Sequence, residues 1–305
     1  MVRTAARAPA GVTGQPPALS RSTVDRAAHR RTDAGWLAAA WADPASRVVV
    51  VEDGRAPVEG DRLVLVPTAD APAGERFFLG TEDGTAYWAV AGPLPEPAGA
   101  RPQGLREVGA LLGDRDTGLL THAVGLANWH ATHRRCSRCG RPTEAVLGGH
   151  VRRCPGDGSD HFPRTDPAVI MLVHDGADRC VLGRGPTWPA GRYSVLAGFV
   201  EPGESAEQAV AREVAEEVGL ALTDLRYAAS QPWPFPSSLM LAFTARATGH
   251  ILTVDPVELA DAAWYSRAAV LGESRAGRLI LPPPVSIARR LIDDWLEPDD
   301  EGKTR

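Results

Sequence analysis

The chain has 305 residues, 44% of them hydrophobic and 23% charged, with a formal net charge of -5. That length allows two or three domains. The mild acidity argues against a broad nucleic-acid footprint while leaving room for a local basic patch, and no apolar run approaches the ~20 residues of a membrane span. There are four cysteines, and Cys136, Cys139 and Cys154 are crowded together. A disulfide framework would be spread more evenly, so the cysteines point to a metal cluster and a reducing cytoplasm.

Residues 1–30 are rich in Ala, Arg and Pro and read as a disordered tail rather than a transit peptide. The segment "WLAAAWADPASRVVVVEDGRAPV" predicts helix, turn, strand and turn, and "RLVLVP", "RFFLG" and "TAYWAVAG" predict further strands. "PLPEPAGARP" reads as a linker, and one helical segment is expected over roughly 104–133. The cysteine-containing stretch runs from 136 to about 162. "PAVIMLVHDG" and "RCVLGRG" then predict paired strands, followed by a strand at "YSVLAGFV". Later strands are expected at 224–231, 239–248 and 262–266, and "LPPPVSIARRLIDDWL" gives a proline stop and a closing helix. Cys180 falls in a predicted strand and reads as core.

Between the last two groups lies "GFVEPGESAEQAVAREVAEEVGL", residues 198–220. Ser205 and Gln208 have capping-box spacing, and Gly219 stands where a left-handed C-terminal cap is expected. Val210, Val214 and Val218 form an i, i+4 seam that faces a core. At ~100° per residue, Glu213, Glu216 and Glu217 share an arc of about 100° beside that seam. Clustered, partly desolvated carboxylates repel one another unless a cation neutralises them, and an all-oxygen set suits Mg²⁺ or Mn²⁺.

The full spacing, from Gly198 through Glu204 to Arg212-Glu213-Val214-Ala215-Glu216-Glu217-Val218-Gly219-Leu220, resembles the Nudix box of the Nudix hydrolases. "SQPWPFPSSLM" (230–240), "DPAVI" and "LPPPVSIARRLI" resemble the NADH pyrophosphatase branch, which includes NAD-capped RNA hydrolases. The resemblance implies an α/β (α+β) fold: a Nudix α/β/α sandwich with a mixed sheet, after a zinc-ribbon-like module and a degenerate Nudix-like N-terminal domain. The boundaries expected are a tail over 1–30, an N-terminal domain over 31–127, the ribbon over 128–165, the catalytic domain over 166–298 and a tail over 299–305.

The activity implied is metal-dependent hydrolysis of NAD(H) to nicotinamide mononucleotide and AMP, extending to NAD caps on RNA. The alternatives are a Nudix hydrolase preferring ADP-ribose or another dinucleotide, and a non-enzymatic zinc-ribbon module binding nucleic acid. Matching positions imply Glu213, Glu217 and Glu258 as Mg²⁺ or Mn²⁺ ligands, with Glu216 a third helix ligand or an outer-shell partner. Arg212 is expected to position a glutamate through a two-pronged ion pair, and Glu217 or a metal-activated water to act as base. Substrate contacts are implied for Phe199, Ala197, Gln231, Trp233, Ser238, Met240 and Ala288, and for Phe162 of a second subunit, hence a homodimer. Cys136-x2-Cys139-x14-Cys154 resembles the branch's zinc ribbon with one member missing. Asp157 stands where the fourth cysteine belongs; His161 is another candidate ligand for Zn²⁺, and His150 a weaker one. The competing reading is a decayed ribbon held by packing alone.

Overall fold

The computed structural model describes residues 16–297. The chain forms two compact units, Met1–Thr165 with Pro232–Ser238, and Asp166–Gln231 with Leu239–Arg305. The expected tail over 299–305 and the first half of the expected tail over 1–30 lie outside the described residues.

In the first unit, α1 (Ala34–Ala42) is capped by Asp33, whose carboxylate accepts from Trp36 N at 2.9 Å. It is followed by strands β1 (Arg47–Val51), β2 (Arg55–Glu59), β3 (Arg62–Leu63), β4 (Val66–Pro67), β5 (Arg76–Glu82), β6 (Thr85–Ala91) and β7 (Arg101–Gly104). They build two small sheets, β4-β1-β6-β5 and β3-β2-β7, with β1 parallel to β6. The all-valine run of β1 is buried, as a parallel-paired central strand requires. Val48, Val50, Phe78, Trp88 and Val90 make a core against which Trp36 and Trp41 of α1 pack. "RLVLVP" does not form one strand; it divides between β3 and β4, which belong to different sheets. The single helix expected over 104–133 is also divided, into α2 (Leu105–Val108) and α3 (Asp114–Thr132), with Gly113 as the N-cap of the second.

Residues 16–30 correct the expectation of a tail. Leu19 and Ala27 are buried, and Asp25 exchanges backbone hydrogen bonds with Thr81 at 3.0 and 2.8 Å. The contact depends on Gly80, in β5 with φ +147, because any side chain there would strike the Asp25 carbonyl. Composition reports the polarity of this segment, whereas its order comes from a strand edge far along the chain.

The cysteine stretch carries a three-stranded antiparallel sheet, β10-β9-β8, of β8 (Glu144–Val146), β9 (Val151–Arg153) and β10 (Asp160–His161). Its anchor is Arg152, buried yet fully engaged. Nε donates to Thr143 Oγ1 at 2.8 Å, Nη2 to Thr143 O at 2.6 Å and Nη1 to Glu75 at 2.8 Å. Taking a guanidinium out of water is costly, and a set of partners this complete offsets that cost.

The second unit has a sheet ordered β14-β15-β11-β12-β16, with β13 paired to β11. The strands are β11 (Asp166–His174), β12 (Arg179–Arg184), β13 (Leu196–Phe199), β14 (Leu222–Trp233), β15 (Ser238–Ala247) and β16 (Asp261–Ser266). Helices α4 (Ala206–Val218), α5 (Arg267–Arg275) and α6 (Ile287–Leu296) complete it. Alternate residues of β11 face opposite layers. Val169, Met171 and Val173 share a core with Val210, Val214 and Val218 of α4, and Ile170 and Leu172 share one with Ile287, Leu291 and Ile292 of α6. This is the α/β/α sandwich, and Cys180 sits in the α6-side core.

Candidate active site

Helix α4 presents the carboxylates because both its ends are defined locally. Ser205 Oγ accepts from Gln208 N at 3.2 Å, Gln208 Oε1 accepts from Ser205 N at 2.9 Å, and Gly219 closes the helix at φ +70. Val210, Val214 and Val218 are wholly buried, so the helix cannot rotate the glutamates away from the adjoining β13 loop. The segment after β15 is tied to the same helix end, with Thr253 N donating to Val218 O and Asp255 N to Glu217 O, at 2.9 and 3.1 Å. It carries Glu258 into the electrostatic reach of Glu213 and Glu217.

Arg212 organises the rest. It grips Glu204 with two prongs, Nε to Oε1 at 2.8 Å and Nη2 to Oε2 at 2.9 Å, and donates to Phe199 O at 2.9 Å. Single bonds reach Glu213 at 3.0 Å and Glu216 at 2.8 Å. The two-pronged partner is therefore Glu204, which sequence reasoning used as a motif position without giving it a role. Its signal was the spacing of eight residues from Arg212, which brings the loop back beside one turn of helix. Gly198 was likewise only a motif position, and here its reason is steric: a methyl group there would overlap the Glu213 carboxylate.

Glu217 is the anomalous member. Its side chain is buried, 7% exposed, and Oε2 has no hydrogen-bond partner among the described residues. Burial, reinforced by the Glu213 and Glu258 charges, pushes its carboxyl up to about 8. Burial also raises Glu213, despite Arg212. Glu204 moves the other way, held low by its bonds from Arg212. An orphaned buried carboxylate oxygen beside two further acids, one of them seated against Gly198, suits a hard divalent cation. Glu216 differs: it is exposed and ion-paired to Arg212.

The remaining predicted residues divide by place. Phe199 and Phe162 are both exposed. Ala197 is exposed on β13. Gln231 is wholly buried, donating Nε2 to Val285 O at 2.7 Å, while its Oε1 has no partner among the described residues. Met240 packs in the same core as Ala288. Trp233, in the first unit, meets Phe235 edge-on at 4.9 Å, with the Arg106 guanidinium over both rings. Ser238 is partly buried.

In the ribbon, Cys136, Cys139, Cys154 and Asp157 offer ligand atoms all within 4.8 Å of one another. The donor set of three thiols and a carboxylate fits Zn²⁺. His161 lies outside this group and approaches Ser159 Oγ at 3.3 Å.

Three family models match the chain: the NADH pyrophosphatase-like rudimentary NUDIX domain over 36–129, the NADH pyrophosphatase zinc ribbon domain over 131–162 and the NUDIX domain over 164–281. The chain is 42% identical over 297 residues to the Mycobacterium bovis protein named NAD-capped RNA hydrolase NudC, covering 92% of this chain and 94% of that one. It is 42% identical over 219 residues to a protein of the same name from Stutzerimonas stutzeri, covering 72% and 76%. It is 44% identical over 207 residues to the mouse protein named NAD(P)H pyrophosphatase NUDT13, mitochondrial, covering 63% and 58%. With the box geometry, the ribbon and the rudimentary N-terminal domain in one chain, this protein belongs to the Nudix hydrolase family, in its NADH pyrophosphatase branch.

Proposed function

We propose that the protein is a divalent-metal-dependent NAD(H) diphosphatase, adding water across the pyrophosphate to yield nicotinamide mononucleotide and AMP, and that it also removes NAD caps from RNA. The observation that carries this reading is the buried, orphaned Glu217 carboxylate beside Glu213 and Glu258 in an intact Nudix box. The names of the relatives supply the substrate class. Glu213, Glu217 and Glu258 would hold Mg²⁺ or Mn²⁺, which when bound supplies positive charge for the diphosphate and acidifies water. Arg212 fixes Glu213 and orients the Phe199 strand end, while Glu204 holds Arg212 in that posture. Glu216, paired to Arg212, is an outer-shell partner. Glu217 or a metal-activated water would act as base, the carboxyl only after a bound cation has displaced the proton that burial favours in the metal-free protein.

Phe199, with Phe162 from a second subunit, would stack on a base of the substrate, and their exposure, 60% and 66%, suits that role. Ala197, Gln231, Trp233, Ser238, Met240 and Ala288 are the further substrate positions, Gln231 and Ala288 through backbone groups because their side chains are buried. The division we adopt is an N-terminal Nudix-like domain to 127, including 16–30, then a ribbon over 128–165 and a catalytic domain over 166–298. A homodimer in a reducing cytoplasm completes the proposal; the four cysteines are free thiols. No helix among the described residues is long and apolar enough to cross a membrane. Chromatography of products from NADH, ADP-ribose and NAD-capped RNA is the test. Turnover of ADP-ribose well above NADH, or none of any, would remove the reading.

A further inference from the structure

The ribbon has lost a cysteine, yet its two knuckles keep one backbone pattern. In the first, Gly140 N donates to Cys136 O at 2.9 Å and Cys136 N to Arg141 O at 2.8 Å. In the second, Gly158 N donates to Cys154 O at 2.9 Å and Cys154 N to Ser159 O at 2.9 Å. Gly140 and Gly158 take the same left-handed conformation, φ +72 and +73. Each loop is thus superposed on the other in register, Cys136 on Cys154, Gly140 on Gly158, and therefore Cys139 on Asp157.

Asp157 is also oriented. Its Oδ1 accepts from Ser159 N at 2.9 Å and from Ser159 Oγ at 2.6 Å. Both bonds occupy one oxygen and leave the other, Oδ2, 3.5 Å from Cys136 Sγ. On the other side, Cys139 Sγ lies 3.4 Å from Cys154 Sγ. A tetrahedral zinc with Zn–S of ~2.3 Å and Zn–O of ~2.0 Å has S···S edges of about 3.8 Å and S···O edges of about 3.5 Å. The side chains stand close to those edges. The Ser159 hydroxyl has one proton, and the shortest contact, to Asp157, takes it. Its 3.3 Å approach to His161 Nε2 then makes the imidazole N–H the donor.

From this juxtaposition we infer that the zinc in this ribbon is held by three thiolates and one oxygen, Oδ2 of Asp157, with Ser159 as the positioning residue and His161 in the outer shell. The imidazole lies against both Ser159 and the Cys136 thiol. The inference rests on the ribbon reading, and zinc content of the wild-type protein tests that reading separately from the ligand assignment.

The experiment uses the untagged full chain expressed in zinc-replete medium. Metal analysis should give about one zinc per chain. Competition with a chromogenic chelator should show Asp157→Ala at least ~10-fold weaker, Ser159→Ala weaker by about 10- to 100-fold, and His161→Ala weaker by less than ~10-fold. Asp157→Cys supplies the missing thiolate. In the Co²⁺-substituted protein it should raise the thiolate-to-metal charge-transfer absorption by about one third, from three sulfur ligands to four, and tighten binding. This variant keeps the test open if Asp157→Ala does not fold. Zinc lost in His161→Ala and kept in Asp157→Ala would overturn the assignment in favour of the imidazole. An unchanged Co²⁺ spectrum in Asp157→Cys would overturn it too. A zinc-free wild-type protein would overturn the ribbon reading itself.

Discussion

Binding of the catalytic cation should expel a proton, and Glu217 sets how many. In the metal-free protein its carboxyl is raised to about 8 by burial and by the Glu213 and Glu258 charges. At pH 7 a group with that value is protonated in ~0.9 of molecules, at pH 8 in ~0.5 and at pH 9 in ~0.1. A cation on Oε2 needs the anion, so each ion bound at pH 7 should release about 0.9 proton, and affinity should fall nearly tenfold per pH unit below 8. The same shift is a stability statement. A raised carboxylate pKa means that Glu217's contribution is fully present below ~4.5 and is lost as pH rises through about 8. The metal-free protein therefore pays up to about 5 kcal/mol across that window, from the difference between 4.5 and about 8 at ~1.4 kcal/mol per unit. A bound cation removes the penalty, so the gain in Tm on adding Mg²⁺ should grow from pH 6 to pH 8.

The assay is titration calorimetry of Mg²⁺ into protein dialysed without strong chelator, which leaves the ribbon's metal in place. Runs in buffers of different ionisation enthalpy give the protons released as a slope. Glu217→Gln, which keeps the shape and cannot ionise, should bring the slope near zero. A slope below ~0.2 for the wild type at pH 7, or one unchanged in Glu217→Gln, would refute the argument that this carboxyl is the one neutralised by the metal.

Turnover of NADH by a folded Glu217→Gln protein should fall by at least ~100-fold, because metal and charge effects commonly contribute several kcal/mol; steady-state kinetics with circular dichroism as the folding control checks it. Gly198→Ala should fold, since the obstructed group is the mobile end of Glu213, yet lose ~100-fold in kcat by moving that carboxylate from its seat. Phe162→Ala should weaken catalysis on both NADH and capped RNA by roughly 5- to 150-fold, the value of one base–aromatic stack, with added salt weakening only the RNA reaction appreciably; an active monomer by sedimentation would sink the shared-site model. His150, pushed down to about 4 by burial and by Arg31 and Arg26, donates Nε2–H to Phe78 O at 2.8 Å. Its contribution is fully present above ~6.5 and is lost as pH falls to about 4, at most about 3 kcal/mol, so denaturation midpoints should drop over that range in the wild type and less in His150→Gln.

What the sequence disclosed follows the range of the forces involved. Helix α4 was legible to the residue because its caps, valine seam and glutamate arc are all written within fifteen positions. The strands at 168–173 and 180–183 were legible because both their faces are buried, which leaves an unbroken apolar run. The order of residues 16–30 was not legible, because it rests on a glycine in β5 that admits the Asp25 backbone. Helix α5, started by Ser266 accepting from Ala269 N at 3.1 Å, was missed because its buried face is a single valine, Val270. The burial of Gln231 could not be read either, since its partner is a carbonyl 54 residues away.

The two metal centres divide the same way. In the Nudix box, spacing alone places Glu204, Arg212, Glu213 and Glu217 on one short loop and helix, so the ligand arc precedes any tertiary contact. Glu258 enters only through the hydrogen bonds that tie residues 253–255 to the end of α4. In the ribbon, spacing names three thiols and leaves Asp157 and His161, with His150 as a weaker third, for the fourth donor; His150 is engaged elsewhere, with Phe78 O. What separates Asp157 from His161 is the repeat of one knuckle's backbone bonds in the other, together with a serine two residues on that occupies one carboxylate oxygen and frees its twin. On the ligand set proposed above, a broken cysteine motif would keep its coordination number because the loop is intact and the substitute is a held oxygen. The information that decides it is the loop's hydrogen-bond register, which a count of cysteines does not contain.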